Sequence, residues 1–280
     1  MSSELQFGFS TNAFREYDLD EAIGVIADAG YDGVELLFDE PHLYPTTATD
    51  ADIEGVQASL DENGIGVSNC NAFMLTAIEG FHHPSYVETD DDYRRRRIDY
   101  TADALRVAAA LGEEYVSIEP GGPIPEEKSR AWAMDRFVAA LEELTPVARE
   151  TGVDLLVEPE PELLIETTDQ FLALADRVDT DVVGCNFDAG HLFCVGEDPA
   201  GQVDRLAPYT QHYHLEDIPA DRSHEHTQLG DGAMDVDAFL SAVADTGYDG
   251  YVTVELYPYQ ATAAETAREA MAYLRENGWA

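Results

Sequence analysis

"VVGCNFDAGHLFC", Val182 to Cys194, begins as a buried strand should and ends on chemistry. Its apolar run, Val182, Val183, Cys185 and Phe187, stops on a carboxylate, Asp188, with an imidazole, His191, three residues further on around a tight Ala189-Gly190 turn. A strand that stops on an acid and a histidine is the kind that feeds a site at its C-terminal end.

Moving outward, the same strand-like signature recurs at regular intervals. Short runs rich in β-branched and aromatic residues predict strands over 6–11, 33–38, 66–71, 114–120, 153–159, 182–188, 211–217 and 251–257. Between them lie longer stretches such as "LDEAIGVIADAG" and "MDRFVAALEELTPVARETG", whose apolar residues recur at three- and four-residue spacing. Gly30, Gly64, Gly152 and Gly247 stand just before strands, where helices stop. Strand then helix, eight times with no linker, predicts an α/β fold, a (β/α)8 TIM barrel, as a single domain over residues 1–280. A doubly wound open sheet would carry a glycine-rich phosphate turn after the first strand, and "FSTNAFREYD" has none. The longest irregular stretch, 72–92, follows the third strand and is long enough to fold over a substrate.

Composition narrows the function. The 57 acids against 15 Lys plus Arg give a net charge of −42, and Lys128 is the sole lysine. Such a chain is ill suited to nucleic acid, whose phosphates are bound by Lys and Arg. No run reaches the roughly 18 apolar residues of a membrane span, and "MSSELQFGFS" has neither a basic leader nor an apolar signal core, so a cytoplasmic protein is expected. Cys70, Cys185 and Cys194 form no closely spaced metal pair and read as reduced packing residues.

The strand ends carry the rest. In a (β/α)8 barrel the loops leaving the C-terminal strand ends build the site. Strand five delivers Glu158, strand six Asp188, strand seven His214 and strand eight Glu255. With 57 acids in 280 residues, a single acid at a strand end means little. Three carboxylates and a scarce histidine in register on four successive strands point to a cation. The donor set suits one Mn²⁺, Mg²⁺ or Co²⁺, with Zn²⁺ as an alternative, and leaves coordination positions for substrate oxygens.

These residues bear a family resemblance. "LLVEP" with Glu158, "FDAGH" with Asp188 and His191, "YHLED" with His214, "VTVELYP" with Glu255 and the turn "HTQLGDGAMD" resemble the xylose-isomerase-like barrel superfamily of sugar isomerases, epimerases and related dehydratases. The resemblance implies that Glu158, Asp188, His214 and Glu255 ligate the metal and that His191 and His226 contact the substrate. In the endonuclease branch of that superfamily, the His191 position resembles a second-metal ligand. That branch draws further histidines from its early strands, where this chain offers Glu35, Asn71 and Glu119. An exposed loop position is the plainer reading of His226, since "DRSHEHTQ" is polar.

A cation gripping two neighbouring oxygens of a ketose acidifies the adjacent C–H. Glu158 and Glu255 are the pair expected to remove and return that proton, while His191 and His226 orient hydroxyls or steady negative charge. The expected activity is isomerisation or epimerisation of a ketose or related polyol ketone, with a small carbohydrate as partner and a homo-oligomer left open. A dehydratase of an inosose-like keto-polyol is the alternative, and a metal- or sugar-binding barrel without turnover is the reading from another class. Among weaker features, "EPGGP" (119–123) reads as a turn and "RRRR" (94–97) as a charge-paired surface face. Phe14, Phe38, Phe73, Trp132 and Tyr257 fall near the expected mouth, and Glu160 and Glu162 lie either toward substrate or in solvent.

The charge generates a test of its own. Self-repulsion at −42 destabilises a compact chain unless salt screens it, and the Debye length shrinks from about 10 Å at 0.1 M to about 3 Å at 1 M. The composition therefore fits the high-salt cytoplasm of a halophile. Thermal melts in increasing KCl are expected to show the midpoint climbing up to molar salt; a midpoint independent of KCl would contradict the halophilic reading.

Overall fold

The structure, a computed structural model, describes residues 5–74, 80 and 82–280. Eight parallel strands close into a barrel in chain order: β1 (Gln6–Ser10), β2 (Gly33–Leu37), β3 (Gly66–Asn71), β4 (Tyr115–Ile118), β5 (Asp154–Val157), β6 (Val183–Asp188), β7 (Thr210–Leu215) and β8 (Tyr251–Val254). The seam pairs β8 with β1, Phe7 opposite Val252 and Phe9 opposite Val254. Outside them, among the described residues, lie α1 (Leu19–Ala29), α2 (Asp50–Asn63), α3 (Asp91–Leu111), α4 (Arg130–Thr151), α5 (Thr168–Ala175), α6 (Ala189–Cys194), α7 (Pro199–Leu206), α8 (Val236–Asp245) and α9 (Ala263–Glu276). None of these is long and apolar enough to cross a membrane.

The eight expected strands are all present, and β4, β5, β7 and β8 end two or three residues earlier than their sequence runs suggested. For β4 and β5 the cause is covalent: Pro120 and Pro159 carry no N–H to extend a ladder. The acids just before those prolines, Glu119 and Glu158, are both buried. Of the irregular region 72–92, residues 75–79 and 81 lie outside the described residues, and α3 already begins at Asp91.

The hydrophobic core sits between sheet and helices, where Phe9, Val34, Ile118, Leu155, Val157 and Val254 are buried. The barrel lumen is different. Such lumens are commonly filled by branched apolar side chains. Here Ser68 Oγ and Thr253 Oγ1 meet at 2.8 Å, and the Asn69 amide donates to both Glu35 Oε2 and Ser117 Oγ at 2.8 Å. A Cβ on Gly8 would come within 2.6 Å of the Ser68 and Thr253 hydroxyls, so glycine is what lets the lower lumen close over this polar filling.

One sequence expectation is corrected. "RRRR" is not simply a surface face: Arg95 pairs with Glu143 in solvent, but Arg94 and Arg97, three residues apart on one face of α3, are buried. Arg97 donates to the Phe73 carbonyl at 2.8 Å, pairs with Glu119 at 3.0 Å and packs between the rings of Tyr86 and Tyr100. The acid that ends β4 thus holds α3 and the segment after β3 to the barrel. Removing one member of a buried pair leaves the other charge uncompensated, at a cost of about 3–5 kcal/mol. Arg97→Met is expected to lose that much in denaturant midpoints, with partial recovery when Glu119→Gln is added. A loss under about 1 kcal/mol would place the pair with weak surface bridges.

Candidate functional site

The first turn of α6 explains the stretch from Val182 to Cys194. Asp188 ends β6 and caps α6, its Oδ1 accepting the His191 backbone N–H at 2.7 Å. What read as a tight Ala189-Gly190 turn is the start of this helix. Because Oδ1 is engaged, Oδ2 is turned elsewhere, buried and without a hydrogen-bond partner. Gly190 has a separate steric reason: a Cβ there would fall 1.8 Å from the Glu216 carboxylate.

Asp188 Oδ2 faces the other three strand-end residues. Glu158, Asp188, His214 and Glu255, all buried, each offer a ligand atom, and these atoms lie within 4.8 Å of one another. His214 Nδ1 is 3.1 Å from Glu158 Oε1 and 3.8 Å from both Asp188 Oδ2 and Glu255 Oε1, while its Nε2 meets Glu35 Oε2 at 2.6 Å. Side-chain amides aim the acids. Asn186 donates to Glu158 Oε2 at 2.9 Å, and Asn12 donates to Glu255 Oε1 at 2.8 Å.

The electrostatics follow from burying several carboxylates around one imidazole. Burial, reinforced by Asp188 and Glu35 and partly offset by His214, pushes the Glu158 carboxyl up to about 7. Burial and the neighbouring acids likewise hold Glu255 well above the usual carboxylate range. Against the downward pull of burial, Glu35, Glu158 and Glu255 keep the His214 imidazole well above its ordinary value. Three clustered carboxylates beside one imidazole with two carboxylate-facing nitrogens fit a divalent ion of the hard or borderline kind.

Two members of the cluster, Glu158 and Glu255, line a cavity of about 580 Å³, within the range of small-molecule sites. Its walls include Asn12, Arg15, Phe73, Glu160, His191 and Tyr257. His191 and His226, both buried, line it, so the exposed-loop reading of His226 does not hold. Their chemistry is fixed by carbonyls. His191 Nδ1–H donates to the Pro159 carbonyl at 3.1 Å and His226 Nδ1–H to the Glu255 carbonyl at 2.8 Å. Burial drives the His191 imidazole well below its ordinary value and takes His226 down to about 3, so both are neutral and present Nε2 as an acceptor. Glu160 is buried in the same wall, its Oε2 without a partner and its carboxyl pushed well up by burial and by Glu158, whereas Glu162 is exposed at the rim.

Of the expected aromatics, Phe73 and Tyr257 line the cavity; Phe14 and Phe38 are core, and Trp132 lies outside, beneath Lys128 and Arg136. Sequence reading passed over Asn12, Asn186 and His224, which approaches His191 with ring centroids 4.7 Å apart. Asn186 had a legible signal: two residues before Asp188, it faces the same side of β6. A separate cleft of about 470 Å³ lies between α1 and α2, lined by residues such as Leu19, Ile23, His42 and Val56, and touches none of these acids.

Comparison with known proteins agrees with this architecture. A family model described as "Xylose isomerase-like TIM barrel" matches residues 23–277. An inosose dehydratase of Clostridium beijerinckii is 25% identical over 288 residues, covering 94% of this chain and 90% of that protein. An inosose isomerase of Bacillus licheniformis is 30% identical over 192 residues, 65% of this chain and 68% of that one. Among solved structures, a zinc-bound IolI protein superposes with a TM-score of 0.80 at 21% identity, covering 97% of both chains.

A raised acid that must ionise to hold a cation makes binding pH-dependent. With the Glu158 carboxyl near 7, it is largely protonated below that pH and must give up its proton to a metal. Mn²⁺ is therefore expected to bind with proton release and to weaken progressively as pH falls below about 7. Calorimetry in two buffers of unlike ionisation enthalpy measures the protons; affinity constant from pH 5.5 to 8 would contradict the assignment.

Proposed function

The chain belongs to the xylose isomerase-like TIM-barrel family, and from that premise we propose that it is a divalent-metal-dependent isomerase or epimerase of a ketose or related polyol ketone. The observation that carries this reading is the convergence of Glu158, Asp188, His214 and Glu255, of which Glu158 and Glu255 open onto a cavity sized for a small molecule. In this reading those four residues hold the ion, which when bound supplies Lewis-acid polarisation of the substrate's carbonyl and neighbouring hydroxyl.

The chain's own groups do the rest. Glu158 and Glu255 stand at the ends of β5 and β8, the first with its carboxyl raised to about 7, where a carboxylate works as a general base, the second with its carboxyl held well above the usual carboxylate range. One removes the proton from the carbon next to the carbonyl, whose C–H electron pair moves into an enediolate. The other returns a proton to the neighbouring carbon or to the opposite face. The Asn12 and Asn186 amides keep the two acids aimed. His191 and His226, neutral with Nε2 as acceptor, take hydrogen bonds from substrate hydroxyls. Of the two roles expected for them, steadying negative charge is the one this tautomer disfavours, because a lone pair repels an anion. Among the described residues Arg15 is the one arginine or lysine lining the cavity, against several acids, which suits an uncharged polyol better than a sugar phosphate.

A second reading has its own observation. Glu160, buried with a partnerless Oε2 and a carboxyl pushed well up, is a candidate proton donor to a leaving β-hydroxyl. Proton removal at the α-carbon followed by departure of that hydroxyl as water would make the protein a dehydratase, the reaction in the name of the Clostridium beijerinckii relative.

With Mn²⁺ or Co²⁺ and a panel of ketoses and inososes, the protein is expected to exchange a substrate α-proton with D₂O. Glu158→Gln and Glu255→Gln should each reduce exchange by about 10²–10⁴-fold. Product mass separates the readings, being unchanged for isomerisation and lower by one water for dehydration. Exchange that survives both substitutions would remove these acids from the reaction.

A further inference from the structure

Beneath the four strand-end residues lies a fifth group that the proposed chemistry does not use. Glu35, on β2, is fully buried in the barrel lumen. Its Oε2 lies 2.6 Å from His214 Nε2 and accepts the Asn69 amide at 2.8 Å, and its Oε1 accepts the Asn71 amide at 3.3 Å. His212 Nε2 stands a further 3.7 Å from Oε2. A carboxylate held by two amides on one side has a fixed direction, and that direction is toward the far nitrogen of His214. Buried carboxylates are costly unless something donates to them. A single proton between Glu35 and His214 meets that need only if it resides on Nε2.

We propose that Glu35 is a positioning residue that keeps the His214 proton on Nε2, so that Nδ1 presents its lone pair to the ion held with Glu158, Asp188 and Glu255. The geometry has the required polarity: the one acceptor close to Nε2 is Glu35 Oε2 at 2.6 Å, the Asn186 amide nitrogen standing further off at 3.4 Å, whereas Nδ1 faces the carboxylates of Glu158, Asp188 and Glu255 at 3.1, 3.8 and 3.8 Å and the Asn186 amide nitrogen, a donor, at 3.2 Å. A ligating imidazole whose other N–H is given to a carboxylate is fixed in tautomer and ring angle and is a stronger donor, and loss of such a partner costs about 10- to 100-fold in metal affinity. Asn69 and Asn71 extend the chain of support to β3, and Ser117 beyond Asn69 extends it to β4. The early strands, which bring no histidine to the rim, thus contribute to the metal centre from below.

The inference rests on the reading of the four-residue cluster as a metal centre, and the test separates the two. Co²⁺ is titrated into the wild-type protein, Glu158→Gln and Glu35→Gln, with affinity taken from chelator competition, ligand field from the visible absorption bands and folding from thermal melts. Glu35→Gln, folded, is expected to bind Co²⁺ about 10- to 100-fold more weakly with displaced bands. Wild-type affinity and an unchanged spectrum in folded Glu35→Gln would overturn the role of Glu35 while leaving the metal centre intact. No Co²⁺ binding by the wild-type protein would overturn both. Should Glu35→Gln fail to fold, the wild type still decides: ¹⁵N-histidine spectra of the Zn²⁺-loaded protein are expected to show His214 metallated at Nδ1 and protonated at Nε2, and metallation at Nε2 would overturn the proposal.

Discussion

Everything at the mouth of this barrel depends on one electrostatic constraint: too many carboxylates share a dry space with one imidazole. Glu158, Asp188 and Glu255 bring ligand atoms within 4.8 Å of His214 and of one another, all buried. Like charges at that distance, away from water, raise one another's pKa, as burial already does. The carboxyl groups of Glu158 and Glu255 move up, and against the pull of burial Glu35, Glu158 and Glu255 raise the imidazole too. In the proposed function a divalent cation resolves the conflict by replacing protons with two positive charges.

The fold is arranged to sustain that conflict. Amide side chains, which donate without adding charge, hold the acids in place: Asn12 on Glu255, Asn186 on Glu158, Asn69 and Asn71 on Glu35. Asp188 divides its two oxygens between capping a helix and facing the site. The polar lumen is the consequence. Where branched aliphatic side chains would ordinarily fill the barrel, hydroxyls and amides connect the rim to the floor, and the apolar packing moves outward to the helices. Above the rim, the Nδ1–H groups of His191 and His226 are committed to main-chain carbonyls, which leaves a wall of acceptors facing the cavity.

The same chain uses its few cations sparingly. Arg97 is spent inside, on Glu119 and the Phe73 carbonyl, where it secures the segment after β3 against the barrel. Arg95, one turn position away, pairs in solvent with Glu143. A run of four arginines reads in sequence as one feature, yet the helix divides it by direction. Periodicity over four residues on a helix is too short to reveal which two face inward, particularly when a buried arginine needs a partner 22 residues downstream at the end of another strand.

By itself the sequence determined the closed alternation of eight strands and helices and the four rim residues, because both follow from local periodicity and from counting strand ends. The period of two along a strand also made Asn186 deducible from Asp188. Tertiary structure alone decided the rest. Glu35 meets His214 across 179 residues, and Asn12 meets Glu255 across 243, contacts that exist only once the barrel closes. The burial of His226 within a polar loop, and the carbonyls that fix its tautomer and that of His191, likewise depend on strands meeting across the mouth. Spacing along a chain specifies which face a side chain takes; the partner waiting opposite that face is set by ring closure.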